Sequence, residues 1–428
     1  MSAPVDAATC PLHEVDTFDP EFLQDPHPFY RRLREEAPVY RDPKNGIVYV
    51  STYAHVMDAL AKPRIFSNGF ARALRAGGSK SGGAAAARER EISARGWQPA
   101  DTLLTADPPT HTRYKKLAGR AFTQRRVATM SAYVETVIHE LLDAFSADGR
   151  CEFKSQFANL LPMYVICDAL GFDRDHRDRF RAWSDAFTLQ LSGMANAEQR
   201  IWCAEQILEA QHYFVEVCEQ RRRAPQDDIC SDLVTARLED EGGGERPLAP
   251  EELISIIQQI LVAGNETTSH SLTTGIYYLL TNPDAHARLI ERPALVENFV
   301  EECLRMLTPT NNMWRVATED TTLGGVAIAK NDLLLLRFGS ANRDEAKFPD
   351  ADRFDIEREN AHDQIAFGAG VHLCLGQLLA RKEMQQAFPI VLERLPNLRL
   401  ADPPERFRYV PSILLRGVER LELTFDAN

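Results

Sequence analysis

The sequence predicts a mainly α-helical protein with small β-sheets, folded as a single large domain over all 428 residues. Three observations predict it. Long stretches carry apolar residues at helical spacing. The β-rich pieces are short and isolated and do not alternate with helices as βαβ units would. No proline-rich, glycine/serine-rich or charged linker is long enough to separate two cores. Apolar residues make up 44% of the chain, an ordinary complement for a buried core. Residues 1–20 are expected to be a flexible N-terminal segment.

Taken in order, β-rich pieces fall near 47–51, 322–328, 333–336 and 421–425. Helical spacing runs near 130–147, 174–193, 197–222, 250–281, 284–307 and 374–394. Residues 76–92 read as a surface loop leading into a short charged helix, placed where a substrate could enter. The formal net charge of −13 excludes a general nucleic-acid binder, whose phosphate contacts need a basic surface. The eight cysteines are scattered, with no C-x-x-C pair, as expected of reduced thiols in a cytoplasmic protein. There is no basic start followed by an apolar run, and no stretch nears the ~18 apolar residues of a membrane span.

The helix beginning Leu248-Ala249-Pro250-Glu251-Glu252 has proline at its first position and acids in its first turn. Leu253, Ile254, Ile256, Ile257, Ile260, Leu261 and Val262 follow, so it is apolar nearly all round and should cross the centre of the domain. Asn282-Pro283 stops it after roughly 46 Å. In its middle stands Ala263-Gly264-Asn265-Glu266-Thr267-Thr268. Glu and Thr are common on solvated turns. In a helix this apolar they point to function, because burying them alone costs energy. Gly264 is expected to leave room for a ligand, and a Thr hydroxyl can bond the carbonyl one turn back.

The most informative stretch is Phe367-Gly368-Ala369-Gly370-Val371-His372-Leu373-Cys374-Leu375-Gly376. Its glycines allow a tight turn. A helical run from Gln377 places Cys374 at or near a helix N-terminus, where free N–H groups and the helix dipole favour a thiolate. Three other readings remain for this cysteine: a small buried hydrophobe, a zinc ligand with only His372 beside it, or a nucleophile with His372 as base.

The F-G-x-G-x-H-x-C-x-G pattern resembles the heme-binding signature of cytochrome P-450 enzymes at all its fixed positions. The resemblance implies the cytochrome P-450 fold, with heme b (iron protoporphyrin IX) between the central helix and this loop. It implies that Cys374 is the axial thiolate and metal ligand, His372 lies near a propionate, and Phe367, Gly368 and Gly376 border the heme. Ala263-Gly264-x-Glu266-Thr267 is similar to the family's A-G-x-[D/E]-T motif. By that match Thr267 steadies dioxygen and Glu266 relays protons, with Ala263 and Gly264 beside the heme and Thr268 structural.

Glu302 and Arg305 form an E-x-x-R pair that can meet on one helix face. With Arg358 they resemble the family's Glu-Arg-Arg network behind the heme loop, serving folding and heme retention. The segment Asp107-Pro108-Pro109-Thr110-His111-Thr112-Arg113 resembles the D-P-P-x-H-T-R of soluble bacterial members. It implies that His111 contacts a propionate, together with Lys115 and Arg315. Lys115 stands where the family usually has arginine, a point charge in place of a planar fork. Between Arg113 and Arg126 lie six basic residues and no acidic one: Arg113, Lys115, Lys116, Arg120, Arg125 and Arg126. This run, with Arg381 and Lys382, is read as a docking patch for an acidic electron donor.

The resemblance spans about 27–423 and implies a monooxygenase. It would insert one atom of dioxygen into a small hydrophobic or aromatic substrate, with hydroxylation expected. No flavin or iron–sulfur motif is present in these residues. Electrons are therefore expected from NAD(P)H through a separate ferredoxin reductase and ferredoxin, to a monomer in the cytoplasm. Family analogy places Ile257, Ile260, Leu261, Met313, Trp314, Ile413 and Leu414 around an apolar pocket. Asn311 and Asn312 would either orient a polar group or simply make a turn. Two other functions stay open. One is a peroxide-driven peroxygenase, tested by turnover with peroxide alone. The other is a non-catalytic heme-binding sensor, tested by a spin-state screen.

Overall fold

A computed structural model describes residues 11–72, 74, 83–192, 195–239 and 243–427. Helices dominate. The first half holds α1 (His27–Glu36), α2 (Tyr53–Leu60), α3 (Ala84–Ser93), α4 (Thr110–Ala118), α5 (Gln124–Asp143), α6 (Leu160–Leu170), α7 (Arg177–Ser192) and α8 (Ala197–Arg223). The second half holds α9 (Ile229–Thr235), α10 (Pro250–Thr281), α11 (Pro283–Glu291), α12 (Val296–Leu307), α13 (Phe338–Ala341) and α14 (Gln377–Arg394).

The strands are short: β1 (Val39–Arg41), β2 (Val48–Val50), β3 (Phe66–Ser67), β4 (Arg150–Glu152), β5 (Arg237–Glu239) and β6 (Glu245–Pro247). Then come β7 (Met313–Ala317), β8 (Thr321–Leu323), β9 (Val326–Ile328), β10 (Leu333–Leu336), β11 (Arg399–Leu400) and β12 (Glu422–Thr424). The largest sheet has the order β1-β2-β10-β7-β3. In it β10 pairs parallel to β2 and antiparallel to β7. The β11-β12-β4 sheet ties the C-terminal strand to the middle of the chain.

Local chemistry explains the boundaries. α10 starts where the Glu252 carboxylate accepts from the Ala249 N–H (2.7 Å), Arg246 (2.7 Å) and the Tyr114 hydroxyl (2.5 Å). The Asn196 side chain caps α8 by accepting from the Gln199 N–H, and Gln199 reaches back to the Asn196 N–H, both at 2.9 Å. The single helix expected over 284–307 is two: Pro293 has no N–H to continue the ladder, and a 3-10 turn, Pro293–Leu295, separates α11 from α12. The charged helix expected at the end of segment 76–92 is α3; residues 76–82 lie outside the described residues.

The expected loose segment 1–20 is anchored at two positions where it is described, and is otherwise mostly exposed. Val15 is buried, and the buried Thr17 hydroxyl pairs with that of Tyr49 at 2.8 Å; residues 1–10 lie outside the described residues. The largest apolar cluster joins α5, α6, α8, α10, α12 and α14. Smaller clusters join the five-stranded sheet to α2, and α1 to the C-terminal turn. α10 is buried along most of its length, as its apolar circumference requires. Among the described residues no helix is long and apolar enough to cross a membrane.

Candidate active site

The cysteine loop is shaped by its own backbone. Gly368 and Gly370 have φ of +68° and +69°, the left-handed region that a side chain disfavours. The loop closes when the Cys374 N–H donates to the Phe367 carbonyl at 2.9 Å. Cys374 precedes α14 by one turn of chain. Burial pushes its thiol up. The Gly376 N–H, the charges of Lys115 and Arg381 and the Gln377 N–H pull the other way without outweighing burial, so the thiol stays above its ordinary value. A Cβ at Gly376 would meet nothing within 4 Å, so a flat group can lie against the helix start. The Arg381 guanidinium stacks over the Phe367 ring at 4.4 Å, and its Nε bonds Glu301 at 2.5 Å.

Beside the loop, two imidazoles and a guanidinium converge. The rings of His111 and His372 lie 3.9 Å apart between centroids. His111 Nδ1 and His372 Nε2 are buried without a hydrogen-bond partner. Burial first, then neighbouring positive charge, lowers His111 to about 4 and His372 to about 3. Arg315 is 4% exposed. Its Nη1 donates to the Trp314 carbonyl at 2.7 Å, and burial lowers it to about 10 while Asp107 pulls back. Among the described residues it has no ion pair. Unmet imidazole nitrogens beside an unneutralised guanidinium form a receptor for carboxylates.

The middle of α10 carries the other half. Ala263 is exposed within a buried helix, and the Thr267 hydroxyl donates to its carbonyl at 3.0 Å. That bond is the one-turn-back contact expected from the sequence. The Glu266 carboxylate faces α7 and the turn Lys154–Ala158. Burial pushes it up, but His270, Lys154 and Arg181 outweigh burial and hold it below the ordinary carboxylate range. Asp185 keeps accessible surface, yet surrounding protein and then Glu266 push it up to about 6. Asn265 ties α10 to α7 by donating to the Ser184 hydroxyl at 3.1 Å.

A family model of cytochrome P450 matches residues 67–405. The mycinamicin IV hydroxylase/epoxidase of Micromonospora griseorubida is 39% identical over 74% of this chain and 77% of its own. A steroid C26-monooxygenase of Mycobacterium tuberculosis is 35% identical over 96% of this chain and 97% of its own. The cytochrome P450 CREJ in complex with (4-ethylphenyl) dihydrogen phosphate superposes with a TM-score of 0.88 at 28% identity, covering 97% of this chain and 100% of its own. The chain is a cytochrome P450 monooxygenase.

A cytochrome P450 carries a heme iron, and these residues fit one. Cys374 stands at a helix start, Gly376 leaves a flat surface open, and His111, His372 and Arg315 wait for two carboxylates. The zinc alternative finds no ligand group among the described residues. The Glu-Arg-Arg set is brought together as expected: Arg305 Nε lies 2.6 Å and Arg358 Nε 3.2 Å from the Glu302 carboxylate, in a fully buried cluster.

Other expectations for this P450 need correcting. The Lys115 ammonium donates to the carbonyls of Val371 and Leu373 at 2.7 and 2.8 Å, so it pins the cysteine loop and keeps a single N–H for any other acceptor. A Cβ at Gly264 would meet Ile166 at 3.2 Å, so this glycine serves the α10–α6 contact, not ligand space.

Ile257 and Leu261 retain at most 1% of their surface, so they line no cavity. Ile260 is buried in the same cluster. Trp314, Ile413 and Leu414 are packed with Phe29, Tyr30 and Leu33 of α1. Of the expected pocket residues, Met313 alone is half-buried. Asn311 and Asn312 are buried and sewn to Tyr30 and the Ile413 carbonyl, a tie between remote segments and neither of the two roles considered.

The sequence reading missed what lies above α10. Segment 97–104 has no regular structure and is held by side chains from below. The Trp97 N–H and carbonyl both bond the Gln211 amide, at 3.0 and 2.9 Å. The Ala100 N–H donates to the Ser255 hydroxyl at 2.9 Å. Gln259 accepts from the Leu104 N–H and donates to the Thr102 hydroxyl, both at 2.8 Å. Polar Ser255 and Gln259 inside an apolar run were the available signal.

Proposed function

We propose that this P450 binds heme b through Cys374 and hydroxylates a hydrophobic or aromatic small molecule at carbon. The observation that carries the reading is the cysteine at the α14 start, backed by two buried imidazole nitrogens without a hydrogen-bond partner and a guanidinium without an ion pair among the described residues. When bound, the heme activates dioxygen so that one oxygen atom enters a substrate C–H bond and the other leaves as water. The chain's own part is positional. The Gly376 and Gln377 N–H groups stabilise charge on the sulfur. His111, His372 and Arg315 hold the propionates. Thr267 presents its hydroxyl on the accessible side of α10, and Glu266 supplies protons from the α7 side.

Electrons come from a separate ferredoxin and its NAD(P)H-dependent reductase. Supporting this, Val371, Leu373 and Leu378 are exposed around the cysteine loop, and Arg120 and Arg125 stand exposed without ion pairs among the described residues. The rest of the expected patch is partly spent: Arg126 bonds Asp227 and Asp232, Lys116 bonds Glu239, and Arg381 bonds Glu301. For the substrate, similar enzymes are named for mycinamicin IV and for steroid oxidation, and the steroid supports a hydrophobic small molecule.

The test is ligation. The ferrous carbonyl complex of the reconstituted protein is expected to absorb as a thiolate-ligated heme, and Cys374→Ser is expected to abolish that band and turnover. An imidazole-type spectrum in the wild type would refute the assignment.

A further inference from the structure

We propose that His270 is a positioning residue for Glu266, fixing its carboxylate in the orientation from which it handles protons beside Thr267. The proposal rests on the reading of Glu266 as the proton-relaying acid.

Residues four apart share a face of a helix, and here the pair meets: His270 Nε2 lies 3.3 Å from Glu266 Oε1. The imidazole is 2% exposed, and its Nδ1 has no hydrogen-bond partner. The contact the geometry makes is through Nε2, and an N–H there donates to the carboxylate.

The ring is also caged. A Cβ at Gly417 would lie 1.9 Å from the His270 ring, so the C-terminal turn closes directly over it. The donor is fixed in place, and it fixes the carboxylate. The other groups facing Glu266 are Arg181 and Asp185 on α7 and Lys154 in the turn Lys154–Ala158. Among the described residues none of them makes an ion pair with it. They act through charge, which attracts without setting direction. Without the imidazole, Lys154 and Arg181 are free to draw the carboxylate towards the turn Lys154–Ala158 and α7, out of the orientation that His270 sets.

The test uses the heme-loaded enzyme with dioxygen itself as the probe, in wild type, Glu266→Gln, His270→Leu and His270→Gln. Two quantities are read. One is the rate at which the reduced protein, mixed with dioxygen, returns to its ferric absorption in H2O and in D2O. The other is the titration midpoint of the Glu266 carboxylate, isolated by infrared difference against Glu266→Gln. His270→Leu is expected to change the rate and its isotope effect as Glu266→Gln does, and to raise the midpoint by roughly one pH unit. His270→Gln, which keeps an N–H donor, is expected to restore both.

A wild-type midpoint and rate in His270→Leu would overturn the proposal, as would a His270→Gln variant as impaired as His270→Leu, since that marks a packing role. Should the leucine variant fail to fold, nitrogen NMR of wild-type His270 decides: protonation at Nε2 is expected, and protonation at Nδ1 overturns the proposal. If Glu266→Gln leaves rate and isotope effect unchanged, the relay reading of Glu266 fails, and the midpoint still reports whether His270 holds the carboxylate.

Discussion

Arg358 gives its Nε to Glu302 and its terminal nitrogens to the carbonyls of Pro349, Asp350 and Arg353, at 2.6 to 3.2 Å. Replacing it strands the Pro349 and Asp350 carbonyls, while Glu302 keeps its pairing with Arg305. Arg358→Met is therefore expected to cost about 1–3 kcal/mol for each carbonyl left unmet, read as a lower urea midpoint and faster heme loss to a competing apoprotein. An unchanged midpoint would contradict the structural role. At this scale residue types were legible and their partners only partly so. Glu302 and Arg305 declared themselves by spacing, because helix geometry alone brings i and i+3 together. Lys115 was visible as a cation near the loop, but its acceptors sit more than 250 positions away. Gly264 had the right identity and the wrong reason, since the atom it makes room for belongs to Ile166.

The central helix is the best-read element. Proline at its first position, acids in its first turn and Asn282-Pro283 at its end are local signals, and α10 begins and ends accordingly. What α10 does along its length is not local. Ser255 and Gln259, with Gln211 of α8, give segment 97–104 the hydrogen bonds it would otherwise find in a sheet. Gln259→Leu leaves the Leu104 N–H and the Thr102 hydroxyl unmet, at about 1–3 kcal/mol. Amide exchange over 102–104 is expected to speed up roughly ten- to hundredfold while α10 itself is unaffected. Equal protection in the variant would show that the amide does not hold the segment. The same element exposes the pocket misreading. Apolar residues on a helix that is apolar all round give no sign of which side faces a cavity, and Ile257, Ile260 and Leu261 turned to the core.

Over the whole molecule, a net charge of −13 coexists with exposed Arg120 and Arg125 near the cysteine loop. A donor steered to that face must be acidic. Reversing both charges, Arg120→Glu with Arg125→Glu, is expected to slow ferredoxin-supported reduction by about tenfold at low salt, with the deficit shrinking as salt is added. Equal rates for variant and wild type would remove the docking face.

The sequence by itself determined the mainly helical fold, the cysteine loop and the central helix. Glycine dihedrals, helix caps and apolar periodicity act over a few residues and need no distant partner. Only the tertiary structure decided which cations stay free, which apolar residues form core in place of pocket, and what holds Glu266. Those outcomes depend on groups brought together from remote parts of the chain, and burial and unmet hydrogen bonds exist only once the chain has closed around them.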